Sequence, residues 1–249
     1  MLKAERHLKI LDTIIENQKV DTNLLAKQLL VSKDTIRRDL NELNKKGKIH
    51  KVHGGALLTK EESTHFFDTI IANEEKKYTI ANKAATLLKD GQVIIISGGT
   101  TNLVFAKSIP KNLNLTVYTY SLPIAIQLSQ HENIELIFIG GKMQKNALVT
   151  IGLDVIQFLS NIKADICFLG TSSINEEFGL TEIGYEVSIV KKAMIQSSAK
   201  VVTMVTSEKI NTKMPHAVCD LSQIYAMITD LKAKDNKLEQ YIKAGILVI

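Results

Sequence analysis

The stretch Ser32-Lys-Asp-Thr-Ile-Arg-Arg-Asp-Leu40 decides how the first quarter of this chain folds. Ser32 is a fresh helix N-cap, and Ile36, Leu40 and Leu43 recur at the spacing that turns one helical face inward. At about 100° per residue, Asp34, Arg37, Arg38, Asn41 and Lys45 fall on the other face. Gly47, after Lys45 and Lys46, supplies the stop. Upstream, Thr22 can cap a second helix carrying Leu24, Leu25, Ala26 and Leu29, which ends near Val31. Earlier still, Leu8, Leu11, Ile14 and Ile15 place a first helix over residues 3 to 17. Two helices separated by a residue or two, with a cap at the junction, read as a helix-turn-helix.

Charge points the same way. Arg6, Arg37 and Arg38 are the only arginines among 249 residues. Residues 1 to 57 hold twelve Lys and Arg against seven Asp and Glu, while residues 58 to 249 hold nineteen of each, so the whole net charge of +5 lies in the first quarter. A basic unit followed by a long neutral one fits a nucleic-acid reader joined to a domain with another task, and the helix-turn-helix makes double-stranded DNA the expected partner. The alternative is a solvated face on which the arginines pair with Asp34 or Asp39. Against it stand the short, freshly capped helix and a second basic element beside it, Lys48-Ile-His-Lys-Val-His-Gly-Gly-Ala-Leu-Leu58. Ile49, Val52, Ala56 and Leu57 flank its Gly-Gly turn as the strands of a wing. Gly54 and Gly55 permit the positive backbone angles of a tight hairpin, and Lys48, His50, Lys51 and His53 would offer donors to a DNA backbone. Thr35 can bond a phosphate or a base edge, and Arg37 and Arg38 can clamp phosphates or reach guanine O6 and N7.

The composition, 45% hydrophobic and 23% charged without Trp, is that of a globular chain long enough for a small domain and a larger one. Cys167 and Cys219 have no thiol or His at ligand spacing and read as core residues in a reducing compartment. Residues 1 to 8 are too charged for a signal peptide, and no apolar run approaches the roughly 18 residues of a membrane span. The expectation is a cytoplasmic protein with no membrane partner. No motif calls for a metal or a cofactor.

Residues 58 to 73 lack periodicity and read as a linker, so the expected domains are residues 1 to 57 and 74 to 249. Asn73 can cap a helix that opens the second domain, with Glu74 and Glu75 complementing its dipole, Ile80, Ala81, Ala84, Leu87 and Leu88 facing inward, and a stop at Gly91. Short apolar runs then follow at Val93 to Ile96, Leu115 to Val117, Leu136 to Ile139, Ile166 to Leu169, Val201 to Val205 and Tyr225 to Ile228. Helical segments over about 101 to 108, 122 to 130, 151 to 160 and 183 to 197 separate them. The alternation predicts an α/β domain with a mostly parallel sheet. Ligands of such sheets sit beyond the carboxyl ends of the strands. There stand Ser97-Gly-Gly-Thr-Thr101, Tyr118-Thr-Tyr-Ser121, Gly140-Gly-Lys142, Gly170-Thr-Ser-Ser173 and Thr206-Ser-Glu-Lys209. Backbone amides of a strand-turn-helix and these hydroxyls suit an anionic, hydroxyl-rich small ligand, with Lys142 and Lys209 as counter-charge. Gly-Gly between strand and helix is also a common tight connection, and either lysine could be a solvated surface residue.

Val31-Ser-Lys-Asp-Thr-Ile-Arg-Arg-Asp-Leu40 followed by His53-Gly-Gly-Ala56 resembles the winged helix of DeoR-type bacterial transcriptional regulators. That resemblance assigns Ser32, Lys33, Thr35, Arg37 and Arg38 to DNA, with Lys51 and His53 on the wing, and makes Asp39 an internal partner that orients the arginines. Glu75 to Ala81, Gly99-Thr-Thr101, Ser121-Leu-Pro-Ile-Ala125, Gly140-Gly-Lys142, Phe168-Leu-Gly170, Gly179-Leu-Thr181 and Ile228-Thr-Asp230 look like the sensor domain of the same family. It implies a fold similar to ribose-5-phosphate isomerase and glucosamine-6-phosphate deaminase and a phosphorylated sugar as effector; two recognition helices meeting paired half-sites would further call for a homo-oligomer, dimer or tetramer. The effector residues expected from the strand-end reading are Ser97, Gly98, Gly99, Thr100, Thr101, Tyr120, Ser121, Gly141, Lys142 and Lys209. Four positions depart from the family pattern: Ser97 and Thr206 replace Asp, Tyr120 replaces Asn, and the linker Arg is absent near Thr69. An enzyme on this fold would need a carboxylate base. Ser97 and Thr206 remove two candidates, and Glu182 and Glu186 read as surface residues at a helix start, which leaves Glu208. The expectation is a regulator without a catalytic site.

Overall fold

The computed structural model describes residues 3–17, 19–45, 49–52, 54–57 and 73–249, which divide into one compact unit ahead of Asn73 and a second from Asn73 to Ile249. The expected linker lies outside the described residues except for Asn73, as do Gly47, Lys48 and His53.

In the first unit, α1 (Lys3–Asn17), α2 (Thr22–Gln28) and α3 (Lys33–Lys45) enclose Ile10, Ile14, Leu25, Ala26, Ile36, Leu40 and Leu43. Leu24 shares the helix with Leu25 but faces outward. Thr22 does not cap α2. Asp21 does, its Oδ1 accepting the amides of Asn23 at 2.7 Å and Leu24 at 3.0 Å. A carboxylate completes the exposed first turn better than a hydroxyl because it also complements the helix dipole. The wing is β2 (His50–Val52) and β3 (Gly55–Leu57), and β1 (Lys19–Asp21), which the apolar pattern does not announce, adds a third strand in the order β1-β3-β2. The two glycines of the turn have different jobs. Gly54 takes a positive φ of 86°, whereas a Cβ on Gly55 would stand 1.9 Å from Val20 O, so Gly55 lets β1 approach β3.

The second unit opens with α4 (Glu74–Ala85), which ends before Leu87 and Leu88, short of the expected stop. Its N-cap is Asn73, but the side chain makes no cap bond and the backbone lies in the left-handed region. A seven-stranded parallel sheet follows, in the order β15-β14-β12-β9-β4-β5-β6. Its strands are β4 (Val93–Ile96), β5 (Leu115–Thr119), β6 (Ile134–Phe138), β9 (Ala164–Gly170), β12 (Ser198–Met204), β14 (Ala226–Ile228) and β15 (Leu247–Val248). Helices α5 (Thr100–Lys107), α6 (Leu122–Leu128), α7 (Leu153–Ser160), α8 (Tyr185–Gln196) and α9 (Glu239–Lys243) complete the α/β alternation. The hairpin of β7 (Lys142–Gln144) and β8 (Val149–Ile151) packs at the carboxyl end of β5, where Thr150 N donates to Tyr120 O at 2.8 Å. A small antiparallel sheet joins β10 (Ser173–Asn175), β11 (Gly179–Glu182) and β13 (His216–Cys219). Cys167 and Cys219 are buried in the core, and burial pushes both thiols up to about 12.

Candidate functional site

The first candidate surface is the outer face of α3. Ser32 Oγ accepts the Thr35 amide at 3.1 Å and lies 2.9 Å from Thr35 Oγ1, so the expected cap is present and Thr35 is engaged with it. Lys33, Asp34, Arg37, Arg38, Asn41 and Lys45 are exposed while Ile36, Leu40 and Leu43 are buried. Arg37 Nη1 donates to Asp34 Oδ1 at 3.2 Å across two largely exposed side chains. No hydrogen bond or ion pair ties Arg38 to any described residue.

Asp39 does not orient this pair. It is buried and faces α1, where Arg6 Nε and Nη2 donate to its two oxygens at 2.5 and 3.0 Å and His7 Nε2 lies 3.0 Å from Oδ1. Burial resists ionisation of Asp39, but the bonds from Arg6 and His7 outweigh it and hold the carboxyl below its ordinary pKa. Arg6 is thus a strut between helices, which leaves Arg37 and Arg38 as the arginines available to a ligand. On the wing, Lys51 Nζ donates to Asn41 Oδ1 at 2.7 Å, and the Lys51 amide donates to Asn44 Oδ1 at 2.7 Å.

The second surface lies where the large sheet changes direction. From β4 the chain builds outward through β5 and β6 on one side, then through β9, β12, β14 and β15 on the other. Loops leaving β4 and β9 therefore part, and such a switch point is where open α/β sheets present a crevice. Ser97 and Gly170 stand there. Ser97 Oγ accepts the Gly170 amide at 2.9 Å and Asn102 Nδ2 at 2.8 Å, so this hydroxyl braces the two strand ends and is itself wholly buried. Asn102 Nδ2 also donates to Ser97 O at 2.6 Å and Gly98 O at 3.2 Å, which fixes the amide and leaves Oδ1 buried without a partner among the described residues.

Tyr120 OH and Ser121 Oγ, beyond β5, are likewise buried and make no well-formed hydrogen bond among the described residues, with Ser97 and the Gly98 backbone the polar neighbours of the Tyr120 hydroxyl. Burial first, and the Glu182 charge second, push the Tyr120 phenol far above its ordinary pKa, so it stays a neutral hydroxyl able to donate and accept. Ser121 Oγ lies 3.8 Å from the position of a Gly98 Cβ, beside Val149 Cγ1 at 2.5 Å. Gly98 therefore serves close packing under the β7–β8 hairpin. Gly99, at φ +118° with open space around it, forms the N-cap of α5 with no side-chain cap bond. The first-turn amides, including those of Thr100 and Thr101, have no intrahelical acceptor.

Lys209, expected as either counter-charge or surface residue, is half-buried and donates from Nζ to Thr171 O at 3.0 Å, one residue past β9. Desolvation lowers its pKa against the opposing pull of Glu208 and Glu182. Lys142 is not brought in: its side chain is 71% exposed and pairs with Glu186 at 3.3 Å. Gly141 packs instead, since a Cβ there would meet Val155 Cγ2 at 2.9 Å.

Glu182 departs most from expectation. It ends β11 rather than starting a helix, it is buried, and its carboxylate accepts Lys191 Nζ and Ser172 Oγ while Lys191 Nζ also donates to Gly170 O at 2.7 Å. Burial opposes its charge, yet the Lys191 ammonium holds the carboxyl below its ordinary pKa. Sequence reasoning missed Asn102 and Lys191 because an Asn inside an apolar helix and one lysine of a Lys-Lys pair carry no signal of being turned to a strand end. Glu208, half-buried, is taken by Lys76 at 3.1 Å and Asn73 Nδ2 at 2.9 Å.

Residues 6–62 match the DeoR-like helix-turn-helix domain and residues 72–231 match the DeoR C terminal sensor domain. The chain belongs to the DeoR family. It is similar to the HTH-type transcriptional regulator GolR of Listeria innocua, 35% identical across 100% of this chain and 98% of that one. The glycerol-3-phosphate regulon repressor of Escherichia coli is 31% identical over 92% of each chain. The HTH-type transcriptional repressor GlcR of Bacillus subtilis is 32% identical over 92% of this chain and 89% of its own. Among solved structures, ribose 5-phosphate isomerase A of Methanocaldococcus jannaschii superposes with a TM-score of 0.41 and 23% identity over 55% of this chain and 54% of that one. Like its DeoR relatives, then, this chain is a helix-turn-helix transcriptional regulator, and its own DNA-binding unit is followed in sequence by an α/β domain. No helix among the described residues is long and apolar enough to cross a membrane.

Proposed function

We propose that this DeoR-family protein represses a carbohydrate-use operon and is released from its operator by a small phosphorylated sugar. Three buried polar groups without a well-formed hydrogen bond among the described residues, Asn102 Oδ1, Tyr120 OH and Ser121 Oγ, carry the effector half of this reading. Each unmatched buried group costs roughly 1–3 kcal/mol, so a ligand whose groups bond them offsets that cost. An acceptor and two hydroxyls call for a polyhydroxylated ligand. The uncapped amides at Gly99, Thr100 and Thr101 and the ammonium of Lys209 call for an anion at its end. Names of relatives agree, since one represses a glycerol-3-phosphate regulon.

The DNA half rests on Lys33, Arg37, Arg38 and Lys51 around the capped α3, with DNA as partner and α3 in the major groove. Two recognition helices of a dimer or tetramer would meet half-sites about 34 Å apart, and effector would shift their spacing. Catalysis has little to work with: despite burial, Lys191 holds the Glu182 carboxyl below its ordinary pKa and Thr206, then Lys76, do the same for Glu208, whereas a poised general base needs its pKa raised toward neutrality.

A thermal-shift screen of sugar and polyol phosphates, with hits carried into gel shifts on the DNA upstream of the gene, tests the proposal. The expected hit raises the melting temperature of wild type but not of Lys209→Met, and releases the operator. A hit that stabilises Lys209→Met equally, or stabilises without releasing DNA, overturns the effector reading.

A further inference from the structure

We propose that Asn41 and Lys51 act as one donor-rich unit that makes the recognition helix prefer guanine over adenine at one operator position per half-site. The inference deepens the reading of α3 as the DNA-contacting helix and rests on it. Asn41 lies one turn beyond Arg37 and Arg38 on the exposed face, and Lys51 comes from the first strand of the wing, so helix and hairpin meet at this point.

Two bonds build the junction. Asn44 Oδ1 accepts the Lys51 backbone amide at 2.7 Å and anchors the strand to the last turn of α3, and Asn41 Oδ1 accepts Lys51 Nζ at 2.7 Å. The second bond chooses the amide orientation, because an ammonium offers donors alone and can meet only the carbonyl oxygen. The Nδ2 of Asn41 is thereby turned outward, away from the lysine.

The chemical consequence follows from what each base edge offers. A free Asn reads adenine bidentately, its oxygen accepting from N6 while its nitrogen donates to N7. With Asn41 Oδ1 held by Lys51, one lone pair is consumed and a full positive charge sits beside the other. An approaching N6 amino group meets that charge with its own positive hydrogens and is disfavoured. The pair still presents the two Nδ2 hydrogens and the two unused Nζ hydrogens, which suit the O6 and N7 acceptors of guanine. Asn44 is a positioning residue in this scheme: it places Lys51 and touches no base.

The test is binding-site selection from a randomised duplex library with the full chain, run for wild type, Lys51→Met, Lys51→Arg and Asn41→Ala. All three substitutions are at exposed positions, and melting temperatures within a degree or two of wild type verify folding. Wild type should select guanine over adenine at one position of each half-site by at least about fivefold, the low end of what one good pair discriminates. Lys51→Met frees the Asn41 oxygen and should move that position toward adenine by a comparable factor while other positions hold. Lys51→Arg, which restores a donor to Asn41, should keep guanine. Asn41→Ala should flatten the position. Identical preferences in wild type and Lys51→Met, or a uniform loss at every position, would reduce Lys51 to a phosphate contact and overturn the proposal. A wild-type chain that selects no sequence at all overturns it together with the DNA reading, whereas selection with unchanged preferences overturns this inference alone.

Discussion

Arg38→Ala is the sharpest test of the α3 face, because Arg38 has no partner to lose within the described protein and Arg37 does. If Arg38 neutralises one phosphate, its loss should lower the slope of log affinity against log salt by about 0.9. Across the fourfold range from about 50 to 200 mM salt, wild type should then lose roughly 3.5-fold more affinity than the variant. If Arg38 instead clasps guanine O6 and N7, the loss should be about 1–3 kcal/mol and confined to operators carrying that guanine. Arg37 should behave differently. Its bond to Asp34 joins side chains 64% and 75% exposed, and an exposed pair contributes at most about 1 kcal/mol. Asp34→Asn should therefore release Arg37, remove a negative charge beside the DNA and tighten binding by up to about fivefold, the equivalent of 1 kcal/mol. Fluorescence anisotropy of labelled operator at four or five salt concentrations measures all three variants. Affinity and slope unchanged in both Arg37→Ala and Arg38→Ala would refute the assignment of this face to DNA.

Other consequences concern the scaffold. Asp39→Asn leaves the part-buried Arg6 guanidinium without its carboxylate and should cost the first unit roughly 3–5 kcal/mol, seen as an earlier urea transition. Because the folded pKa of Asp39 is depressed, its contribution is present above the ordinary carboxylate value near 4 and fades as pH falls through the lower folded value, so the gap between wild type and Asp39→Asn should close only in acid. A gap unchanged down to acid unfolding would contradict the Arg6–Asp39 pairing. Gly98→Ala drives a methyl to 2.5 Å from Val149 Cγ1 and should cost about 1–3 kcal/mol by overpacking, whereas adding Val149→Ala should relieve most of it. Strictly additive losses by calorimetry would mean that the β7–β8 hairpin does not press on that loop. Lys191→Met leaves the Glu182 carboxylate buried and unpaired and should cost roughly 3–5 kcal/mol, and Glu182→Gln in the same chain should recover part of that loss. Equal stability of Lys191→Met and wild type would remove the ion pair from the fold's support.

What the sequence carried by itself was whatever depends on short-range repetition. The apolar spacing of α3, the Ser32 cap and the long parallel strands were legible because each is specified within a few residues. Continuous runs such as Val93 to Ile96 announce a strand buried on both faces, and Arg37 and Arg38 stand out because arginine is so rare here. The small elements were not legible. β1, β7, β8 and β10 are only three residues each, too short for a period to show; β1 is fixed by pairing with β3 more than thirty residues on, and the other three by short hairpins that the apolar pattern does not mark. Glu182 and Lys191 look like ordinary charged surface residues until folding brings Ser172 and Gly170 to them, and Asp39, expected inside the domain, proves to hold Arg6 rather than Arg37 and Arg38. Whether an ionisable group is a contact, a strut or half of a buried pair depends on burial and on partners in space, which no local pattern encodes. Local sequence thus determined the main helices and central strands and that a helix-turn-helix is among them. Only the tertiary structure decided which arginine is tied to a buried carboxylate, which hydroxyls at the switch point lack a partner among the described residues, and which lysine reaches the end of β9, because those depend on where distant segments meet.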